Sequence, residues 1–214
     1  MICQRKWPRS RCSPALVTAF LSAALPKHRE SGPFRFLNVA FLHPKKGHAD
    51  LLGAFSERFG GDVGVQLRIG GSGEERDALH AKASALCVAD QVVWLGALSR
   101  EDVLAEMLAA DAFVLSSRIE TFGVVVIEAL ACGLPVVATR SGGPECIVGE
   151  ADGELVQVGD VAGLGQAMVD VRAKVVAGAF DRDELRARCA ERFSEDALVS
   201  RLSEVYVRAT GGVA

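Results

Sequence analysis

Short, almost wholly apolar runs alternate with segments long enough to be helices, and this alternation restricts the chain more than any other feature. Phe36–Leu42, Val65–Ile69, Gln91–Leu95, Ala112–Ser116, Pro135–Thr139 and Gly153–Val158 read as strands. Between them, Gly47–Phe59, Glu74–Cys87, Arg100–Ala110 and Gly123–Cys132 read as helices, and three more follow near Val161–Val176, Asp181–Arg192 and Glu195–Ala209. Ser99 and Asp102 form the opening of a capping box, and Gly133 stops the fourth helix. Strands separated by helix-length crossovers pair in parallel, with right-handed connections. Strands that carry apolar residues on both sides need helices over both faces of the sheet. The expected architecture is therefore an α/β, Rossmann-like domain with a parallel sheet and helices on both faces. The expected organisation is a linker or remnant segment over 1–33, the Rossmann-like domain over 34–176, and C-terminal helices packing on or bridging from it over 177–214.

Ligands of such sheets bind outside the carboxyl ends of the strands, so the loops there hold the candidates. After the first strand, Lys46 precedes a helix whose first amides point into the cleft, where an ammonium can meet a phosphate. A solvated loop lysine is the plainer alternative. After the second strand, Gly70, Gly71 and Gly73 allow a ligand close to the backbone, or simply make a tight turn; the spacing matches neither a dinucleotide fingerprint nor a Walker loop. After the fourth strand, Glu120 and Glu128 are separated by seven residues, with Thr121, Phe122, Gly123 and Val124 among them. A helix starting at Gly123 offers unpaired amides and a positive dipole end to an anion. Carboxylates are poor neighbours for an anion, but they accept hydrogen bonds from the vicinal hydroxyls of a sugar. Val124–Ile127 and Ala129–Ala131 make this helix apolar nearly all round, so Glu128 is expected to be buried and to need a partner.

The run from Ser117 to Thr139 resembles the core motif of the retaining GT-B glycosyltransferases of the group 1 type: Glu120, seven residues, Glu128, then Cys132-Gly133-Leu134-Pro135-Val136-Val137. Gly142-Gly143-Pro144-Glu145 is similar to that family's next loop. Pro44-Lys45-Lys46-Gly47 is similar to its phosphate-contacting Lys-Gly, and Val92–Gly96 to its base-pocket strand. The resemblance covers roughly Phe34 to Lys174 in order and spacing, and it implies the C-terminal, donor-binding half of a GT-B fold. It implies that Lys46 neutralises the donor diphosphate and Glu120 contacts the donor sugar, as the catalytic pair. It further implies that the amides around Thr121, Phe122, Gly123 and Val124 hold phosphate or sugar oxygens, with Gly70 and Gly71 beside them. Glu128 would bind the ribose hydroxyls, and Trp94, Leu95 and Gly96 would border the base. No metal or other cofactor is implied, because lysine and helix dipole take the leaving-group charge. Retention of anomeric configuration is likewise inherited from the resemblance.

Two departures stand out. The family usually carries an arginine five residues before the lysine; here that residue is Phe41, so one phosphate contact is either absent or supplied by another residue, such as Arg118. The stretch before the first strand is also too short to be an acceptor-binding domain, so a separate acceptor-binding partner or a second copy is expected to complete the cleft. Transfer of a sugar from a nucleotide sugar to an acceptor, as in polysaccharide biosynthesis, is thus the first reading. A nucleotide-binding module without catalysis is the second. A phosphorylase, an epimerase or a purely structural α/β domain is the third.

Composition narrows the setting. The net charge is −3, and no basic stretch lies beyond the first residues, which disfavours nucleic acid as a partner. Arg5, Lys6, Arg9 and Arg11 before the apolar run Ala15–Leu25 have the outline of a signal peptide; an interdomain helix between Pro14 and Pro26 is the alternative. No apolar run reaches the ~18 residues that span a bilayer, so a cytoplasmic protein with at most peripheral contact at the inner membrane face is expected. The six cysteines lack CxxC spacing and accompanying histidines, so buried thiols are expected rather than zinc or a disulfide framework.

Overall fold

The structure, a computed structural model, describes residues 15–26 and 32–209. Helix α1 (Ala15–Ser22) precedes β1 (Phe34–Val39), α2 (His48–Phe59), β2 (Val65–Gly70), α3 (Arg76–Ala85), β3 (Val92–Gly96), α4 (Arg100–Ala109) and β4 (Ala112–Leu115). Then come α5 (Val124–Ala131), β5 (Val136–Thr139), β6 (Gly153–Val156), α6 (Val161–Val176), α7 (Arg182–Phe193) and α8 (Glu195–Ala209). All six strands run parallel in the order β3-β2-β1-β4-β5-β6. The expected α/β sheet is therefore present, and its order reverses between β1 and β4. A crevice must open at that reversal, because the connections leaving the two strands turn to opposite faces of the sheet.

Side chains alternate across each strand and build two cores. Phe36, Leu67, Ile69, Val114 and Val137 pack under α2, α3 and α6. Leu37, Phe113, Leu115, Val136 and Ala138 pack under α1, α4, α5 and α7. Each such aliphatic or aromatic side chain contributes about 1.5–3 kcal/mol by leaving water. Asn38 interrupts the apolar pattern at the sheet centre and is fully buried; its Nδ2 donates to Val114 O at 2.8 Å, tying β1 to β4 beside the crevice.

The first strand begins two residues earlier than its apolar pattern suggests. Phe34 stacks obliquely on Phe36 with ring centroids 4.9 Å apart, and its amide donates to Gly64 O, which carries the ladder to Phe34. Beyond Val39, Ala40 and Leu42 still donate to Gly70 O and Ser72 O, so an extended arm runs on past the sheet. Gly71 is needed beside that arm: its φ is +146°, and a Cβ there would collide with Ala40 O. Helix α3 starts only at Arg76, because the Gly70–Gly73 run first follows this arm.

Helix α1 is docked rather than free. Val17 and Phe20 are buried against α5, and Arg186 on α7 donates to Phe20 O, Ala23 O and Ala131 O. One guanidinium thus satisfies carbonyls at the ends of α1 and α5 together. Residues 1–14, which hold the signal-peptide-like basic cluster, lie outside the described residues. No helix among the described residues is long and apolar enough to cross a membrane.

Candidate functional site

The crevice between β1 and β4 is framed by two loops. The loop after β1 forms a 3-10 turn over Pro44–Lys46, closed by Gly47 in the left-handed region at φ 66°. A Cβ on Gly47 would collide with Ser116 O, so glycine lets this loop lie directly on the end of β4. Ser116 Oγ donates to Lys46 O at 3.0 Å, and the amides of Arg118 and Ile119 donate to Lys45 O at 2.7 and 3.3 Å. Thr139 at the end of β5 donates its hydroxyl to Ser117 O. The loops are thereby joined by backbone and hydroxyl hydrogen bonds, which position their side chains.

Lys46 and Glu120 meet across this junction, Nζ to Oε2, at 2.6 Å. The two side chains are 26% and 13% exposed, which places the pair on the crevice wall with access to solvent. The backbone of Glu120 is bridged to the loop after β5: its amide donates to Ser141 O, and its carbonyl accepts from Gly143 N at 2.8 Å. Glycine at 143 permits this, because a Cβ would run into the Phe122 backbone. Glu120 Oε1 accepts from Phe122 N at 3.5 Å. Gly123, at φ 91°, is the N-cap of α5, and the first intrahelical bonds run from Val126 and Ile127 to Gly123 O. The amides of Gly123, Val124 and Val125 precede those bonds and have no partner within the helix. A basic side chain, an acidic one and a positive helix end are thus gathered at the reversal of strand order, a combination suited to an anionic group attached to a polyol.

Glu128 sits in the second turn of α5 and is 6% exposed. Its expected partner exists: Arg100, the first residue of α4, brings Nη2 to Oε1 at 3.1 Å. Burial pushes the Glu128 carboxyl above its ordinary pKa, and the neighbouring guanidinium opposes that shift. No contact joins Glu128 to the Lys46–Glu120 pair among the described residues; α5 itself is what links them. Arg100 escaped the sequence reading, which took it only as a helix start. The signal was the need of a buried acid on an apolar helix for a cation, but sequence gives no means of choosing which cation.

The other residues separate. Trp94 stacks on His80 of α3 with centroids 4.2 Å apart, and it packs with the α2/α3 core. Leu95 packs with the opposite core, and Gly96 ends β3 at the carboxyl edge with open space around it. Gly70 and Gly71 accommodate the chain itself: Leu98 crowds the first and Ala40 O the second. Arg118 is engaged by Asp50, at 3.0 and 3.1 Å through two nitrogens, and Phe41 is 58% exposed.

His48, the first residue of α2, was not singled out from sequence. It is fully buried, and neither ring nitrogen has a partner. Burial, with Lys46 nearby, lowers its pKa to about 4. Cys132 and Cys189 lie in the α5/α7 core, and burial pushes both thiols up to about 12. Cys146, by contrast, is disulfide-bonded, so the expectation of thiols throughout does not hold there. No cluster of metal-ligating side chains occurs among the described residues.

Comparison with known proteins agrees with this layout. The model of the family "Glycosyl transferases group 1" matches residues 24–192. The lipopolysaccharide core biosynthesis glycosyltransferase LpsE of Rhizobium meliloti (strain 1021) is 38% identical over 141 residues, 65% of this chain and 38% of that protein. The N-acetyl-alpha-D-glucosaminyl L-malate synthase of Bacillus anthracis is 31% identical over 172 residues, 79% of this chain and 44% of that protein. Among solved structures, Anabaena Alr3699/HepE in complex with UDP-glucose superposes with a TM-score of 0.71 at 25% identity, over 82% of this chain and 49% of that one. The chain thus spans well under half the length of these two curated relatives. The family match runs from the residues that follow α1 to the last turn of α7 and takes in the whole sheet with both crevice loops. The chain belongs to the group 1 glycosyl transferases, and the region described is the C-terminal, Rossmann-like half of their GT-B fold.

Proposed function

We propose that this chain binds a nucleoside-diphosphate sugar and, with an acceptor-binding domain or a second copy, transfers the sugar with retention of configuration. The observation that carries this reading is the Lys46–Glu120 pair, set 2.6 Å apart beside the free amides of α5 at the reversal of strand order. The solved relative holds UDP-glucose, which supports a ligand of this class. As the bond from sugar to phosphate breaks, negative charge grows on the diphosphate. The Lys46 ammonium and the start of α5 lie where they can take up that charge, so the reading calls on no metal. Glu120 addresses the sugar hydroxyls, and the amides of Thr121, Phe122, Gly123 and Val124 serve phosphate or sugar oxygens. Glu128 takes the ribose diol. Gly96 and the loop after it lie at the carboxyl edge of β3 and border the base; Trp94, stacked on His80, supports that strand from below. The donor would be met on the cytoplasmic side of the membrane, in assembly of a glycan.

The test is direct. Calorimetric titration of the chain with UDP and GDP should show binding of one, and Glu120→Ala in a complex competent for transfer should abolish turnover. Unchanged turnover in that variant would overturn the assignment of Glu120, and binding of neither nucleotide would overturn the reading as a whole. A second reading, binding without transfer, is favoured by one observation: the apolar, exposed Phe41 in the loop after β1 supplies no charge to the diphosphate. Tight nucleotide binding with no transfer in the completed complex would support it.

A further inference from the structure

Glu128 is a carboxylate on a helix that offers it no polar surroundings. Residues 126–131 of α5 are all buried, and Glu128 is the charged one among them. A buried carboxylate without a counter-charge takes up a proton, and it then presents a hydroxyl to a diol instead of two acceptor oxygens. The counter-charge arrives from a different element, and its approach is constrained by its own helix and by an aromatic ring. Arg100 opens α4, whose start is locked by a complete capping box: Asp102 N donates to Ser99 Oγ, and Ser99 N to Asp102 Oδ2. The guanidinium lies over the Phe20 ring, 5.1 Å from its centroid. Phe20 is itself 1% exposed, and its carbonyl is held by Arg186, which also holds the last residue of α5.

A planar cation seated on an aromatic face and carried on a capped helix has few orientations open to it. At 3.1 Å, Nη2 holds one oxygen of Glu128 and leaves the other to a ligand. Arg100 stands at the carboxyl edge of the sheet, directly after the β3–α4 loop, and its side chain is 48% exposed. It is therefore at the rim of the crevice rather than in the core.

From this geometry we infer that Arg100, seated on Phe20 of α1, is a positioning residue that keeps Glu128 ionised and oriented for the two ribose hydroxyls of the donor nucleotide. This rests on the functional reading above. It also assigns α1, which precedes the first strand of the sheet, a part in the site.

The experiment measures affinity of the full 214-residue chain for UDP and for 2′,3′-dideoxyuridine diphosphate, with the guanosine pair run in parallel. Arg100→Ala should weaken the ribonucleotide roughly tenfold or more and leave the dideoxy compound unchanged. Arg100→Lys should recover part of the loss. Equal weakening of both ligands would reduce Arg100 to a structural role, and tighter ribonucleotide binding would make it a blocker of the diol; either result overturns the inference. If the unsubstituted chain fails to distinguish the two ligands, the ribose role of Glu128 falls. If it binds no nucleotide, the functional reading falls with it.

Discussion

Lys46 and Glu120 lie 74 residues apart in the chain, yet their charged atoms meet at 2.6 Å over the point where the strand order reverses. Each belongs to the loop leaving one of the two central strands. Their contact therefore depends on β1 and β4 being neighbours, which no local property of either loop could arrange. The carboxylate neutralises the ammonium. Under the proposed function, a diphosphate draws Lys46 into a shared or exchanged pairing.

That relationship sets the first prediction. Lys46→Ala removes a charge-assisted bond worth about 1.5–3 kcal/mol and leaves Glu120 facing the incoming anion. Affinity for a nucleoside diphosphate should fall about ten- to hundredfold, by calorimetry. Glu120→Gln relieves the competition and should bind the nucleotide at least as well as the unsubstituted chain, even where it no longer supports transfer.

Stability should depend on His48 in an acidic window. Its pKa is about 4 in the folded chain against an ordinary 6.5. Between those values the unfolded chain holds a proton that the folded chain excludes, so stability is complete above pH 6.5 and declines as pH falls toward 4. The loss over that window should reach about 3 kcal/mol for this group. Denaturant titrations of His48→Leu at pH 7 and pH 4.5 should show a smaller difference than those of the unsubstituted chain; an unchanged difference would remove His48 as the cause.

Arg186 should matter more to stability than a half-exposed arginine usually does. It donates to three carbonyls at the ends of α1 and α5, and leaving those oxygens without partners costs about 1–3 kcal/mol. Arg186→Ala should lower the urea midpoint accordingly. Limited proteolysis of that variant should cut first near α1, whose end the guanidinium holds.

Thiol chemistry should separate the cysteines. Cys132 and Cys189 are buried, with pKa values pushed up to about 12, whereas Cys87 is exposed. A maleimide at pH 7.5 should label Cys87 in the native protein and reach Cys132 and Cys189 only after unfolding. Peptide mapping by mass spectrometry reads this out. Rapid native labelling of Cys132 would show that the α5/α7 core opens readily.

The order of elements, the parallel sheet and the loops that flank its reversal were legible from residue pattern, because apolar periodicity and glycine punctuation are local consequences of burial and backbone sterics. So was Glu128 as a candidate, since a glutamate on an apolar helix is costly without a partner, whereas Lys46 and Glu120 stood out through the family motif that their segments resemble. Tertiary structure alone decided their company. It paired Glu128 with Arg100, placed Phe20 beneath that arginine, gave Arg118 the carboxylate of Asp50, and laid Trp94 against His80. Each of these contacts joins different elements of the chain, and their geometry follows from which helix covers which face of the sheet. A charge can announce in sequence that it needs a partner, but only the packing of distant elements determines which partner lies within reach.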